Sequence, residues 1–513
     1  MANFIGMLFS KEWRSLTLGL FGVALAIVAY VAVPGDAQPQ APAMAAVVTL
    51  MAVWWIFEVV PIPVTSLLPI VLFPLFGILP IEKTTVFFGK STIFLFLGGF
   101  ILALGLQKSG VHKRIALQII RLIGGSPARL VLGFMVSAGF MSMWISNTAT
   151  VMVMLPIALS VLEQAKAMGA DAKTIRNFAL SIMLGIAYAA DMGGMATFVG
   201  TAPNLVYRDV LTTIFPDAPE PGFVNWMAMG LPLAIVFVTG GWLLLTRVLF
   251  RIRVDNLMGG KGIIEENLRA LGRIRRDEVA ALAVFGLAAV LWVTRNDIDF
   301  GGAFTFTGWQ SALGLDKKMV NDAWVAIACA SLLFMIPSGD RKGERLMTWD
   351  TAKDVPWGIL LLFGGGFAIA GGFGASGLDK LVGEVFASMS FGSPVILVIV
   401  VCVVLTFLTE ITSNTATTNL VLPILAQASV ALGVDPRVLM IPATLSASCA
   451  FMMPVASPTQ AIVFGSGYVP IREMIRAGIW FNILGIILVT TIFFLVGTAV
   501  FGIEIGVMPE WAK

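Results

Sequence analysis

The sequence predicts an all-α polytopic membrane protein. Three observations carry that class: the composition, the length of the apolar runs, and a polar pentapeptide that occurs twice inside them. Of 513 residues 58% are hydrophobic and 12% charged, and the mean hydropathy is +0.92, which excludes an ordinary globular enzyme. Apolar runs near the ~20 residues that span hydrocarbon recur from end to end, as a helical bundle requires and a barrel of short alternating strands does not. Ser146-Asn147-Thr148-Ala149-Thr150 returns unchanged as Ser413-Asn414-Thr415-Ala416-Thr417, each copy within such a run. A polar segment repeated in hydrocarbon is most simply read as binding something polar there.

The first apolar segment, 16–33, follows Lys11 and Arg14 and exceeds the usual core of a cleavable signal, so it is read as a retained first span. Further spans are predicted near 43–60, 64–79, 91–108, 177–198, 228–250, 278–293, 320–336, 357–373, 438–455 and 474–502. Two stretches, 128–165 and 393–432, are too long for one span and are interrupted at the centre by Ser-Asn-Thr. Each is two spans or one re-entrant hairpin.

Charge chooses between these. With both stretches as hairpins and a cytoplasmic N-terminus, Lys113, Arg114, Arg121, Arg129, Lys166, Lys173 and Arg176 flank the first hairpin inside. The basic segment 251–277, Arg341, Lys342, Arg345, Lys353, Arg472 and Arg476 also fall inside. Asp36, Asp217, Glu220, Glu504 and Glu510 fall outside with the C-terminus, and only Lys317 and Lys318 depart notably from the positive-inside rule. The first hairpin then opens to the cytoplasm and the second outward, so the two copies are inverted.

The repeat holds a constant offset of 267 residues. Leu95-Phe96 matches Leu362-Phe363, Gly98-Gly99-Phe100 matches Gly365-Gly366-Phe367, Ser109-Gly110 matches Ser376-Gly377, and Leu155-Pro156-Ile157 matches Leu422-Pro423-Ile424. Inverted repeats with interrupted helices at equivalent places mark secondary transporters whose site lies at the repeat interface. The chain accordingly divides into an N-terminal segment with the first span (1–42), a first repeat (43–250) with hairpin 128–165, a linker (251–277), a second repeat (278–502) with hairpin 393–432, and a tail (503–513).

A hairpin tip offers two kinds of pole. The helix that ends there presents free carbonyls to a cation, and the helix that begins there presents free amides to an anion. Ser, Asn and Thr cap helix starts, and their side chains also donate to a carboxylate or coordinate sodium through oxygen. Merely satisfying the backbone at one break would explain one such tip; two in inverted register point to a binding role. A second pair of interruptions, Gly200-Thr201-Ala202-Pro203-Asn204 and Ala456-Ser457-Pro458-Thr459-Gln460, frees further backbone oxygens, tolerated at bilayer depth only where buried or facing a cavity.

Other classes fare worse. The charge of +3 is too small for a nucleic-acid partner. Cys329, Cys402 and Cys449 lie far apart, and His112 is the one histidine, which leaves disulfide frameworks, zinc sites and Cys-His or Ser-His catalysis unsupported. No enzyme activity and no cofactor is expected. A channel would need polar residues along several helices, and here they cluster in two tips.

The doubled Ser-Asn-Thr, the run Leu408-Thr409-Glu410-Ile411-Thr412-Ser413-Asn414-Thr415-Ala416-Thr417-Thr418, and Gly200-Thr201-Ala202-Pro203-Asn204 resemble the divalent anion:sodium symporter (DASS, or INDY) family over nearly the whole chain. The resemblance implies a homodimer in the cytoplasmic membrane, eleven spans plus two hairpins per protomer, and a transport domain that slides against a scaffold as an elevator. It implies dicarboxylate, citrate or sulfate substrates. Substrate contacts would fall on Ser146, Asn147, Thr148, Ser413, Asn414, Thr415, Ser457 and Pro458. One sodium would be held by Ser142, Ser146, Asn147 and Gly200, and a second by Thr409, Thr412, Asn414 and Ala456. Glu410 resembles a family residue and is read as structural support for the second hairpin.

Two places depart from the family pattern. The second break usually reads Thr-Pro-Pro-Asn and here is Ser457-Pro458-Thr459-Gln460, and Asp191 stands where a small neutral polar residue is more usual. An ionised carboxylate near the bilayer centre costs ~2.5–3.5 kcal/mol on insertion scales, so Asp191 needs a cation, a partner or a proton. It is the candidate for cation or proton coupling, against the plainer reading of a carboxylate paired at a helix end. No Lys or Arg lies in either tip or break, so a dianion would be held by dipoles, amides, hydroxyls and bound cations. Sodium symport of C4 or C5 dicarboxylates is the leading expectation; exchange of one dicarboxylate for another, or proton coupling, stays open.

Overall fold

The computed structural model describes residues 11–124, 126–167, 171–252, 260–299, 305–316, 319–387 and 393–513. Helices account for nearly all of it, with one antiparallel pair of two-residue strands, β1 (Ile298–Asp299) and β2 (Thr305–Phe306). Lys317, Lys318 and the 253–259 part of the linker lie outside the described residues.

The chain opens with α1 (Lys11–Ala32) packed on α2 (Ala41–Ile56). The next expected span, 64–79, is two short helices, α3 (Ile62–Ser66) and α4 (Leu68–Leu75). Pro69 lacks the N–H that would bond the Thr65 carbonyl, so the ladder fails between them. Glu58 sits two residues past the end of α2 with φ 46°. A short α5 (Ile81–Val86) leads into α6 (Ser91–Ser109), and α7 (Val111–Ile123) follows after Gly110, which takes the left-handed turn (φ 84°) that suits glycine.

The first long polar-centred stretch is α8 (Pro127–Ser142), a turn, and α9 (Asn147–Ala167). Then come α10 (Ala172–Gly194), an irregular segment, α11 (Ala202–Ile214), and α12 (Phe223–Leu243), which runs on as a π-helical turn to Leu249. The linker contains a helix, α13 (Gly260–Ala270), lying against α7 and α9. Arg114 on α7 holds its far end by donating to the carbonyls of Leu271 and Gly272 and to the Glu278 carboxylate at 2.6 Å.

The second half repeats the plan. After α14 (Arg276–Val293), α15 (Trp309–Ala312), α16 (Asp322–Met335) and α17 (Trp349–Ala352) comes α18 (Trp357–Ser376), ending on left-handed Gly377, then α19 (Leu378–Ala387). The second polar-centred stretch is α20 (Pro394–Leu408), a turn, and α21 (Asn414–Ala431), followed by α22 (Arg437–Ala447), an irregular segment, and α23 (Pro458–Gly465). The last long helix, α24 (Ile471–Ile492), continues through a π-helical turn to α25 (Thr498–Phe501). Two expected spans end earlier than the sequence indicated: 177–198 stops being helical at Gly194, and 438–455 at Ala447.

Among the described residues six helices are long and apolar enough to cross a membrane, and six shorter apolar ones, including α8, α20 and α22, accompany them. Corresponding helices pair alike in the two halves, α8 on α10 as α20 on α22, and α9 on α10 as α21 on α22. The helices after the breaks are exchanged: α11 of the first half packs on α21, and α23 of the second packs on α9 and α10. This exchange lays a helix of each half on helices of the other.

Candidate functional site

The first tip is built from where α8 ends and α9 begins. Ser142 is fully buried on the last turn of α8, and its hydroxyl donates to Asn147 Oδ1 at 2.5 Å. Ser146 caps α9, accepting from the Ala149 amide at 3.3 Å. Ser146, Asn147 and Thr148 are half-buried, one side open and the other packed. Behind them is the first break. A Cβ on Gly194 would stand 2.8 Å from Asn147 Oδ1 and 3.1 Å from the Gly200 carbonyl, so only glycine admits this approach. Ser142, Asn147 and Gly200, assigned to one cation from the sequence, are thereby gathered around Gly194, and their oxygens suit a small hard cation.

The break keeps its shape through side chains. Thr197 donates to the Met143 carbonyl at 2.6 Å and accepts from the Gly200 amide at 3.0 Å, tying break to tip. The Asn204 amide nitrogen reaches back to the carbonyls of Gly194, Met195 and Thr197, the last at 2.7 Å. Buried carbonyls released by the end of α10 are thus satisfied without a helix.

The second tip repeats the first atom for atom in one respect: Thr409 donates to Asn414 Oδ1 at 2.7 Å, as Ser142 does to Asn147. Thr409 also reaches the Ala447 carbonyl at 2.9 Å, and Thr412 bonds the Leu408 carbonyl and the Thr417 hydroxyl. Ser413, Asn414 and Thr415 are half-buried like their counterparts. Ala456, the fourth residue assigned to this cation, is buried in the break with its amide on the Met453 carbonyl. The second break depends on Glu410, which is 4% exposed. Its carboxylate accepts the amides of Phe451, Met452 and Met453 at 2.8 to 3.0 Å, and the Asn482 side chain at 2.7 Å. That accounts for α22 stopping early: three consecutive amides face a carboxylate instead of the preceding turn.

Asp191 joins the halves. It is 2% exposed on α10. Its carboxylate accepts from Asn147 Nδ2 at 2.8 Å, from the Thr459 hydroxyl at 2.9 Å and from Gln460 Nε2 at 3.0 Å. The two departures noted in the sequence therefore touch. Gln460 Nε2 also holds the Ala450 carbonyl at 2.7 Å, ten residues back, as Asn204 holds Gly194. The extra methylene of glutamine lets it do this and reach Asp191. Ser457 is buried with its hydroxyl on Thr459, while Pro458 is exposed.

Sequence reasoning missed Gly194, Thr197, Asn204, Ala447, Thr459 and Gln460 as parts of the site. Extending the repeat into the breaks would have found Asn204 and Gln460; the others show only once the chain folds back. Among the described residues none of the ion pairs involves a tip or break residue, no hydrogen bond joins the first tip directly to the second, and no group of three or more His, Cys, Asp or Glu could hold a metal. His112 is buried with Nδ1 on the Leu106 carbonyl, and the three cysteines are free and buried.

The model of the sodium:sulfate symporter transmembrane region matches residues 10–503. The chain belongs to the sodium:sulfate symporter family. Within the family, it is 42% identical over 477 residues to the protein named sodium-dependent dicarboxylate transporter SdcS in Staphylococcus aureus RF122, covering 92% of this chain and 89% of that one. The same protein of Staphylococcus aureus NCTC 8325 matches equally. The family and these relatives are transporters, not enzymes. Two solved structures share the fold at 16% identity over 82% of this chain: the YdaH transporter of Alcanivorax borkumensis (TM-score 0.53, 88% of that chain) and MtrF of Neisseria gonorrhoeae (0.54, 84%). The chain is an integral membrane transporter of the sodium:sulfate symporter family.

Proposed function

We propose that the protein is a sodium-coupled symporter of C4 and C5 dicarboxylates such as succinate, malate, fumarate and 2-oxoglutarate. The observation that carries this reading is the 42% identity, over 92% of the chain, to a relative named for sodium-dependent dicarboxylate transport. The geometry supports it: two half-exposed Ser-Asn-Thr tips, each with a buried hydroxyl on the asparagine oxygen. In this reading Ser146, Asn147, Thr148, Ser413, Asn414 and Thr415, with Ser457 and Pro458 at the edge, hold the two carboxylates by hydroxyls, amides and helix starts. Ser142, Ser146, Asn147 and Gly200 hold one sodium, and Thr409, Thr412, Asn414 and Ala456, with the Ala447 carbonyl, a second. Sodium here is cargo. With both ions bound, the dianion and its cations approach neutrality, which lowers the cost of carrying them past hydrocarbon.

The architecture proposed with this function is a homodimer in the cytoplasmic membrane. Each protomer has eleven spans and two re-entrant hairpins of opposite orientation, N-terminus inside and C-terminus outside, and moves its site by an elevator displacement. The exchange of α11 and α23 between halves supports this, since it ties both tips and both breaks into one body able to move as a unit.

Uptake of labelled succinate into proteoliposomes tests the function. Accumulation driven by an inward sodium gradient, and abolished when choline replaces sodium, is the expected result. Uptake that ignores sodium but requires internal dicarboxylate would replace symport by exchange, and an unsaturable current would replace the carrier by a channel.

A further inference from the structure

Asp191 is a buried carboxylate without an ion-pair partner among the described residues, and three side-chain donors converge on it. Two of the three, Thr459 and Gln460, come from the other half of the chain. We infer that Asp191 is the positioning residue of the first cation cluster, fixing which way the Asn147 amide faces.

An ionised carboxylate only accepts hydrogen bonds, so the group of Asn147 that meets it has to be the NH2. With Nδ2 held on Asp191, Oδ1 turns to Ser142 and to the space beside Gly194 and the Gly200 carbonyl. A reversed amide would place two N–H groups in that space and repel a cation. Asp191 is itself held by the opposite break: Thr459 and Gln460 both donate to Oδ2, leaving Oδ1 to Asn147. The second half lacks this device. Counting back from Gln460 as Asn204 counts back to Asp191, the corresponding place is Ala447, which offers only its carbonyl, to Thr409. The orientation of the first cluster is thus set by residues that flank the second break, beside the proposed substrate contacts Ser457 and Pro458.

The inference rests on the sodium-coupled reading. Its test is the sodium concentration that half-maximally stabilises the purified protein against heat, without dicarboxylate and with choline balancing ionic strength. Asp191→Asn puts an NH2 in place of one of the two acceptor oxygens, so the donor facing that place must turn. Gln460 is anchored on the Ala450 carbonyl, and Asn147 is the one that gives way. Loss of a hydrogen bond to a charged group is worth ~1.5–3 kcal/mol, so the sodium midpoint is expected to rise about tenfold or more. Exchanging the two groups, Asn147→Asp with Asp191→Asn, satisfies every donor again: the carboxylate on the tip accepts from Ser142 and from the new amide, whose oxygen accepts from Thr459 and Gln460. That double variant is expected to return to within about threefold of the wild type. Should Asp191→Asn not fold, Gln460→Met removes one donor and keeps the carboxylate, with an expected rise of about threefold.

An unchanged midpoint in Asp191→Asn, or in Gln460→Met where that variant stands in, overturns the inference, as does a double variant no better than Asp191→Asn alone. A wild-type protein with no sodium response at all overturns the symport reading and this inference together, so the two failures are told apart.

Discussion

In the first half the tip is braced by a carboxylate on the neighbouring helix, Asp191, which grips side chains and reaches into the other half's break. In the second half the brace is on the tip itself: Glu410 grips backbone amides of its own half's break, with Asn482 as a fourth donor. The hydroxyl-to-asparagine contact at the centre is the same in both. Two identical pentapeptides are therefore held in place by unrelated means. The likeness lies where a ligand would bind, and the difference where the chain must be supported. The helices after the breaks differ in the same sense. α11 is pinned by charges, with Arg208 on Asp322 at 2.7 Å and Lys90 on Asp209 at 2.8 Å, whereas α23 carries no charged residue.

The sharpest way to break this comparison is Glu410→Ala. The buried amide of Phe451 and the half-buried amides of Met452 and Met453 lose their acceptor, at up to ~1–3 kcal/mol each, so the expected outcome is loss of most folded protein in a detergent thermal-stability assay. Glu410→Gln, which keeps one acceptor oxygen, should be milder. If the alanine variant is as stable as the wild type, Glu410 does not support the second break.

Next in size is Asp322→Asn. Asp322 is 1% exposed and paired with both Arg208 and Arg295, each at 2.7 Å, so removing its charge leaves the buried Arg295 without a carboxylate among the described residues and Arg208 with the more exposed Glu220 alone, at ~3–5 kcal/mol. A marked fall in melting temperature is expected, because α11 loses its anchor to α16.

The smallest effects compare the clusters themselves. Ser142→Ala and Thr409→Val each remove one hydroxyl from an asparagine oxygen. A net hydrogen bond of ~1 kcal/mol corresponds to a rise of about fivefold in the sodium concentration for half-maximal uptake, similar in the two variants. A change in one alone would show that the two clusters are not equivalent cation sites.

Much of this was legible in the sequence. The apolar runs gave the class, and the constant register of the repeat paired Asn147 with Asn414 and Ser142 with Thr409 before any contact was seen. The supporting role read for Glu410 agrees with its four donors. What periodicity overran were the ends of α10 and α22. Gly193-Gly194 and Ser446-Ala447-Ser448 are apolar or small enough to continue a helix, and the groups that stop them are distant in sequence: Thr197 reaches the Met143 carbonyl, and Glu410 takes the amides of residues 451 to 453. The sequence also marked Asp191 and Thr459-Gln460 as two separate irregularities, with nothing to say that they meet.

By itself, then, the amino-acid order determined a membrane-embedded helical chain with two equivalent polar tips, because hydropathy and repeat register are properties of the residues and their spacing. Only the tertiary structure decided that α11 and α23 change places, and hence that a carboxylate of the first half is satisfied by donors of the second. A hydrogen bond needs its atoms within ~3 Å, and 268 residues of chain between Asp191 and Thr459 carry no information about that distance until the helices between them have packed.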